Sequence, residues 1–121
     1  TVILTGGEVR VPKWSMTGDF TLDTIAQIKA PKSILGCSGI SVQRGLTTIV
    51  AQEMRVNALM LEQSEQRIIV VDSSKLGKDS SFRYGDVDQI DMLITDRDAS
   101  GEQLALLRRA GVGEVIEVGT P

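Results

Sequence analysis

Apolar residues recur along this chain in two alternating rhythms. Short runs of two to four stand at Val2–Leu4, Ile34–Leu35, Ile68–Val71, Met92–Ile94 and Val115–Val118, each closed by a polar or glycine-bearing stretch. Runs of that length with β-branched residues predict buried strands, and Ile68–Val71 reads as a strand buried on both faces. Between them the spacing lengthens to the helical period. Leu22, Ile25, Ala26 and Ile28 predict a helix over 19–28 with Asp19 as its N-cap. Val50, Met54, Ala58 and Leu61 predict a longer one over 49–65, with Thr47 or Thr48 as its cap. Ser100 and Gln103 have the spacing of a capping box ahead of Leu104 and Leu107, and Gly111 suits the position just past a helix end.

Strands alternating with helices at this spacing predict an α/β domain with a mainly parallel sheet and flanking helices. Pro31 is expected to close the region of the first helix. The polar segment 77–88 is expected to be a mobile loop. The first strand arrives without an initiator methionine, and the chain reads as a fragment whose opening elements lie elsewhere.

Composition narrows the chemistry. The 121 residues suffice for one core. No apolar run approaches the roughly 18 residues of a membrane span, and the opening lacks the layout of a signal peptide. A single cysteine, Cys37, makes no internal disulfide, which fits a reducing cytoplasm. The net charge of −3 and the four aromatic residues argue against a nucleic-acid surface built by this chain. There is no histidine. That removes the commonest general base, the Ser–His and Cys–His nucleophile pairs and the usual zinc ligand, so no metal site is expected. Any chemistry falls to Asp, Glu, Lys, Ser or Thr, and no cofactor motif is present: neither a Walker A loop nor a G-x-G-x-x-G fingerprint occurs.

In parallel sheets, ligands collect at the carboxyl ends of the strands. Gly6-Gly7 after the first run lets amides approach an anion, or is a plain turn. Gly36-Cys37-Ser38-Gly39 presents amides and a hydroxyl, or is a tight turn, with Cys37 a buried spectator. Glu53 near a helix start is either a site carboxylate or a residue the helix dipole favours. Lys75, two serines after a buried strand, is either an anion contact or a solvated partner of Asp72 or Asp79. Met54 and Met60 read as core fillers, and Arg108-Arg109 as dipole-favoured charges at a helix end.

Taken in order, "TGGEVR", "ILGCSGIS", "RGLTT", "QEMRV", "VVDSSKLG" and "IDMLITD" resemble the C-terminal effector-binding domain of the DeoR family of bacterial transcriptional regulators. The resemblance spans essentially the whole chain, 1–121. It implies a fold similar to ribose-5-phosphate isomerase and glucosamine-6-phosphate deaminase, without its first βα units. It also implies a phosphorylated sugar or related metabolite as effector, homo-oligomers, and operator DNA bound through an N-terminal helix-turn-helix that this chain does not contain. Carried over by position, Gly6, Gly7, Ser38, Gly39, Thr47, Glu53 and Lys75 are the expected effector contacts. Glu53 falls where the related enzymes hold a carboxylate base. Their acid-rich turn is replaced here by the uncharged Gly36–Gly39, and the family's frequent aspartate by Pro31, so binding without catalysis is expected. The alternative is a sugar-phosphate isomerase or deaminase using Glu53 as base.

Overall fold

The structure, a computed structural model, describes residues 1–119. A four-stranded parallel sheet organises it, in the spatial order β3 (Ala30–Leu35), β6 (Ser64–Val70), β8 (Met92–Asp96), β9 (Glu114–Val118). The parallel α/β expectation therefore holds. Before this sheet stand a hairpin of β1 (Glu8–Arg10) and β2 (Ser15–Thr17), and then α1 (Asp19–Ala26). Between β3 and β6 run β4 (Gly39–Ser41), β5 (Gly45–Thr48) and α2 (Ala51–Glu62). Later, β7 (Phe82–Gly85) joins β5 to make a small antiparallel sheet in the order β4-β5-β7, and α3 (Gly101–Ala110) links β8 to β9.

The strand order is monotonic, and that has a topological consequence. Parallel crossovers are right-handed, so connections that always step the same way along a sheet all lie on one of its faces. On that face Leu35, Ile69 and Leu93 pack with Leu61 of α2 and with Leu104 and Leu107 of α3 to form the core. Ile69, Leu93 and Leu61 are completely buried, each burial contributing about 2 kcal/mol or more. The alternate residues point the other way, where no helix packs among the described residues. Ile34 is 64% exposed and Val70 45%, while Ile68 on the same face is buried, so Ile68–Val71 is covered on its second face only in part.

Other departures have local causes. Val2–Leu4 forms no strand and lies exposed, because its apolar side chains meet no neighbouring strand to pair with. The helix already ends at Ala26, and Pro31 is the second residue of a strand. It sits in β3, an edge of the sheet, where a missing N–H costs no ladder bond. The first helix is preceded by Gly18, with Asp19 already its first residue. The second is shorter than its period implies. Val50 occupies its N-cap, and Thr48 instead accepts from the Val50 amide through Oγ1 at 3.1 Å. Only half of the capping box of α3 forms: Ser100 Oγ accepts from the Gln103 amide at 3.4 Å, while the Gln103 side chain donates to the Leu76 carbonyl.

Segment 77–88, read as a mobile loop, is stitched to β4 and β5. The Gly77 amide donates to the Ile40 carbonyl at 2.8 Å, the Ser80 amide to Thr47 Oγ1 at 2.9 Å, and Ser41 bonds Asp79. A Cβ on Gly39 would collide with the Lys78 carbonyl, so glycine is required there for the segment to lie against β4. Residues 82–85 continue as β7, with Tyr84 buried in the core.

Candidate functional site

A cleft of about 430 Å³ opens where the carboxyl end of β3 meets the start of α2 and the β1–β2 hairpin. Its floor is apolar, with Met16, Ile25, Leu35, Val56 and Met60. Lys13, Ser38, Thr48, Glu53 and Asn57 supply the polar groups. The α2 contribution follows from helical spacing, since Glu53, Val56, Asn57 and Met60 at i, i+3, i+4 and i+7 share one face.

Glu53 is fixed from across the cleft. Its Oε1 accepts from Arg10 Nη1 at 3.1 Å and from Ser15 Oγ at 2.8 Å, so both hairpin strands hold one carboxylate oxygen. The Oε2 atom has no hydrogen bond among the described residues. Ser38 Oγ accepts from the Ile49 amide at 3.1 Å, which leaves the hydroxyl proton of Ser38 for a ligand. Thr48 Oγ1, bonded to the Val50 amide, is in the same position. The turn behind them is held by Tyr84, whose hydroxyl donates to the Gly36 carbonyl at 2.6 Å. Burial, with the charge of Glu53 adding to it, pushes the Tyr84 phenol well above its ordinary range and keeps it a donor. Burial likewise raises the Cys37 thiol to about 12, against smaller opposing effects of the Gly39 amide and the Lys75 charge. Cys37 is thus a neutral thiol, as expected of a spectator.

Of the residues singled out from the sequence, Ser38 and Glu53 line this cleft; Gly6, Gly7, Gly39, Thr47 and Lys75 do not. Gly6 acts at one remove: its carbonyl accepts from Thr21 Oγ1 at 2.6 Å, and Thr21 lines the wall. Gly7, at φ 114°, lies against the Thr21 side chain, where a Cβ would collide. Thr47 is wholly buried, donating to the Gly39 carbonyl at 3.1 Å while accepting from Ser80. Both of its hydrogen-bonding functions are engaged within the protein.

Lys75 ends a 3₁₀ turn, Ser73–Lys75, that follows β6. The amides of this turn are already committed. Ser73 donates to Asp96 Oδ1 at 2.5 Å, Ser74 to Asp72 Oδ1 at 2.9 Å, and Lys75 to the Asp72 carbonyl at 3.1 Å. The Ser74 hydroxyl also bonds Asp72. These bonds, from Ser74 and from Ser73 respectively, hold the Asp72 and Asp96 carboxyls below the usual carboxylate range. An anion arriving here would meet the Lys75 side chain and no free amide of the turn.

Lys13, Arg10, Ser15 and Asn57 were not singled out from the sequence. Only the basic and polar character of the hairpin, and the i, i+4 step from Glu53 to Asn57, point to them. No cluster of three or more His, Cys, Asp or Glu suited to a metal occurs among the described residues. None of the described helices is long and apolar enough to cross a membrane.

Comparison with known proteins agrees with this architecture. Residues 1–97 match the family described as the DeoR C terminal sensor domain. Among similar proteins, the putative aga operon transcriptional repressor of Escherichia coli O157:H7 is 36% identical over 98% of this chain and 44% of its own length. The glycerol-3-phosphate regulon repressor of Escherichia coli K12 is 35% identical over 78% of this chain and 38% of its own. The HTH-type transcriptional repressor GlcR of Bacillus subtilis is 32% identical over 92% and 43%. The chain spans less than half the length of these curated relatives. With a family match across four-fifths of its residues, carried on a parallel sheet of the kind the motifs imply, the chain belongs to the DeoR C-terminal sensor domains.

Proposed function

We propose that this chain is the effector-sensing part of a transcriptional repressor, and that its ligand is a small phosphorylated sugar or polyol held at the carboxyl ends of β3 and β6. The observation that carries this reading is the β3–α2 cleft, with Glu53 anchored through one oxygen beside the hydroxyls of Ser38 and Thr48. Such an array accepts and donates hydrogen bonds to a polyhydroxylated molecule. Lys75, with Lys13 on the hairpin, supplies positive charge for its anionic end. The names of the relatives, which include a repressor of a glycerol-3-phosphate regulon, support that ligand class.

Binding, not turnover, fits the polar inventory. Glu53 is the one carboxylate among the described residues that line the cleft, and no second acid or imidazole accompanies it for proton transfer. Operator DNA would be contacted through parts of the protein outside these residues, in a cytoplasmic homo-oligomer. The open face of the sheet, with Ile34 and Val70, would be covered by further strand–helix units of the same protein. Regulation requires that the effector bind two conformations unequally, because equal affinity shifts no population.

The test uses the intact protein. Operator binding is measured by gel shift while glycerol 3-phosphate, glucose 6-phosphate and inorganic phosphate are titrated in. A hydroxylated phosphate should weaken the complex, and Lys75→Ala should keep DNA binding while blunting that response. An unchanged response removes Lys75 from the site. Turnover of a hexose or pentose phosphate would replace the sensor reading with an isomerase or deaminase using Glu53 as base.

A further inference from the structure

Glu53 and Asn57 stand one turn apart on α2 and both line the cleft. Residues at i and i+4 have side chains about 5–6 Å apart at Cβ, which matches two functional groups on neighbouring carbons reached by flexible side chains. Their unused valences complement each other. Glu53 offers Oε2 as an acceptor with no partner among the described residues, and the Asn57 amide, which makes no hydrogen bond among them, offers both a donor and an acceptor. The carboxylate is also pre-set: with Oε1 held by Arg10 and Ser15, it does not have to be ordered when a ligand arrives.

We propose that Glu53 and Asn57 form a recognition pair for adjacent hydroxyls of the ligand, with Arg10 and Ser15 as positioning residues of that pair. This rests on the effector-binding reading above and sharpens it. The site selects a phosphorylated polyol or sugar with neighbouring hydroxyls over a phosphate ester without them. One hydroxyl donates to Glu53 Oε2, and its neighbour exchanges hydrogen bonds with the Asn57 amide. Discrimination of this kind is strong because a ligand lacking the hydroxyls leaves both groups desolvated and unpaired.

The experiment measures the affinity of the intact protein for glycerol 3-phosphate, glucose 6-phosphate and n-propyl phosphate by calorimetry. Fluorescence of Trp14, the one tryptophan of these 121 residues, on the hairpin beside the cleft-lining Lys13, gives a second readout when compared with a Trp14→Phe control. The wild type should favour a hydroxylated probe over propyl phosphate. Asn57→Leu and Asn57→Ala should each cut that preference about fivefold to tenfold, the effect of one lost hydrogen bond. Arg10→Met should reduce the preference through loss of the Glu53 anchor, and Arg10→Lys should restore part of it. A wild type that binds all three probes equally, or an Asn57→Leu protein with its preference intact, overturns the recognition pair alone. If the wild type binds none of the three phosphates, the effector reading falls and the pair falls with it.

Discussion

Thr47→Val separates a structural hydroxyl from a ligand-binding one. Valine matches threonine in shape and removes only the hydroxyl, which here has two engagements: donation to the Gly39 carbonyl at 3.1 Å and acceptance from the Ser80 amide at 2.9 Å. The residue is wholly buried, so water cannot replace either partner at that point. Each group left unpaired costs about 1–3 kcal/mol, and the Ser80 amide, on a half-exposed residue, belongs near the low end. The expected loss is about 2 kcal/mol, equivalent to a midpoint shift of roughly 1 M in urea with an unchanged m-value. For a chain of this size it should lower Tm by roughly 8 °C. Thr47→Ser keeps the hydroxyl and removes one methyl, for about 1 kcal/mol, and should therefore be the milder change. Urea unfolding followed by circular dichroism gives the stability, and hydrogen exchange at the Ser80 amide gives the local effect. A Thr47→Val protein within about 0.5 kcal/mol of wild type, or a Ser80 amide no less protected, would refute the stitching of segment 77–81 through Thr47.

Three further outcomes follow from the same geometry. Tyr84→Phe removes the 2.6 Å bond to the Gly36 carbonyl and should cost about 1 kcal/mol in urea unfolding, with a larger proportional loss of effector response than of stability. The Asp72 and Asp96 carboxyls bind protons less tightly folded than unfolded, so their contribution is present above the ordinary carboxylate range and disappears as pH falls through their lowered folded values. Asp96→Asn should accordingly flatten the acid limb of a stability-versus-pH curve, and an unaltered limb would count against the Ser73–Asp96 bond. Cys37, with its thiol raised to about 12, should react with a thiol reagent at pH 8 far more slowly in the folded protein than in urea; equal rates would contradict its burial.

The parallel sheet was legible because its strands are apolar runs in which Ile, Val and Leu dominate, and α3 because Ser100 and Gly111 mark its ends. The antiparallel parts were not. Strands β1, β2, β4, β5 and β7 are three or four residues long, and their sequences, such as Gly39–Ser41 and Gly45–Thr48, contain glycine and hydroxyl residues that propensity assigns to turns. For β7 the strand is made by pairing with β5 across 30 or more residues, which no local window contains, whereas β1–β2 and β4–β5 are short hairpins without an apolar run to mark them. Val2–Leu4 failed in the opposite sense, since its composition suits a strand and pairing is lacking. The site divides the same way. Ser38 and Glu53 were found from their places at a strand end and a helix start, whereas Arg10, Ser15 and Lys13 come from a hairpin whose fold over α2 is a tertiary fact. Thr47 looked like a cap because it precedes a helix, yet β5 turns its hydroxyl inward.

Adjacent residues of β3 serve two different surfaces. Leu35 lines the cleft, and Ile34, one peptide earlier, projects from the open side of the sheet. Side chains on a strand alternate, so a single rigid peptide unit joins the two. A displacement of the end of β3 by an occupant of the cleft is therefore delivered, without any intermediary, to whatever rests on Ile34. Cleft and open face thus share the same few backbone atoms, and the path between them is one residue long.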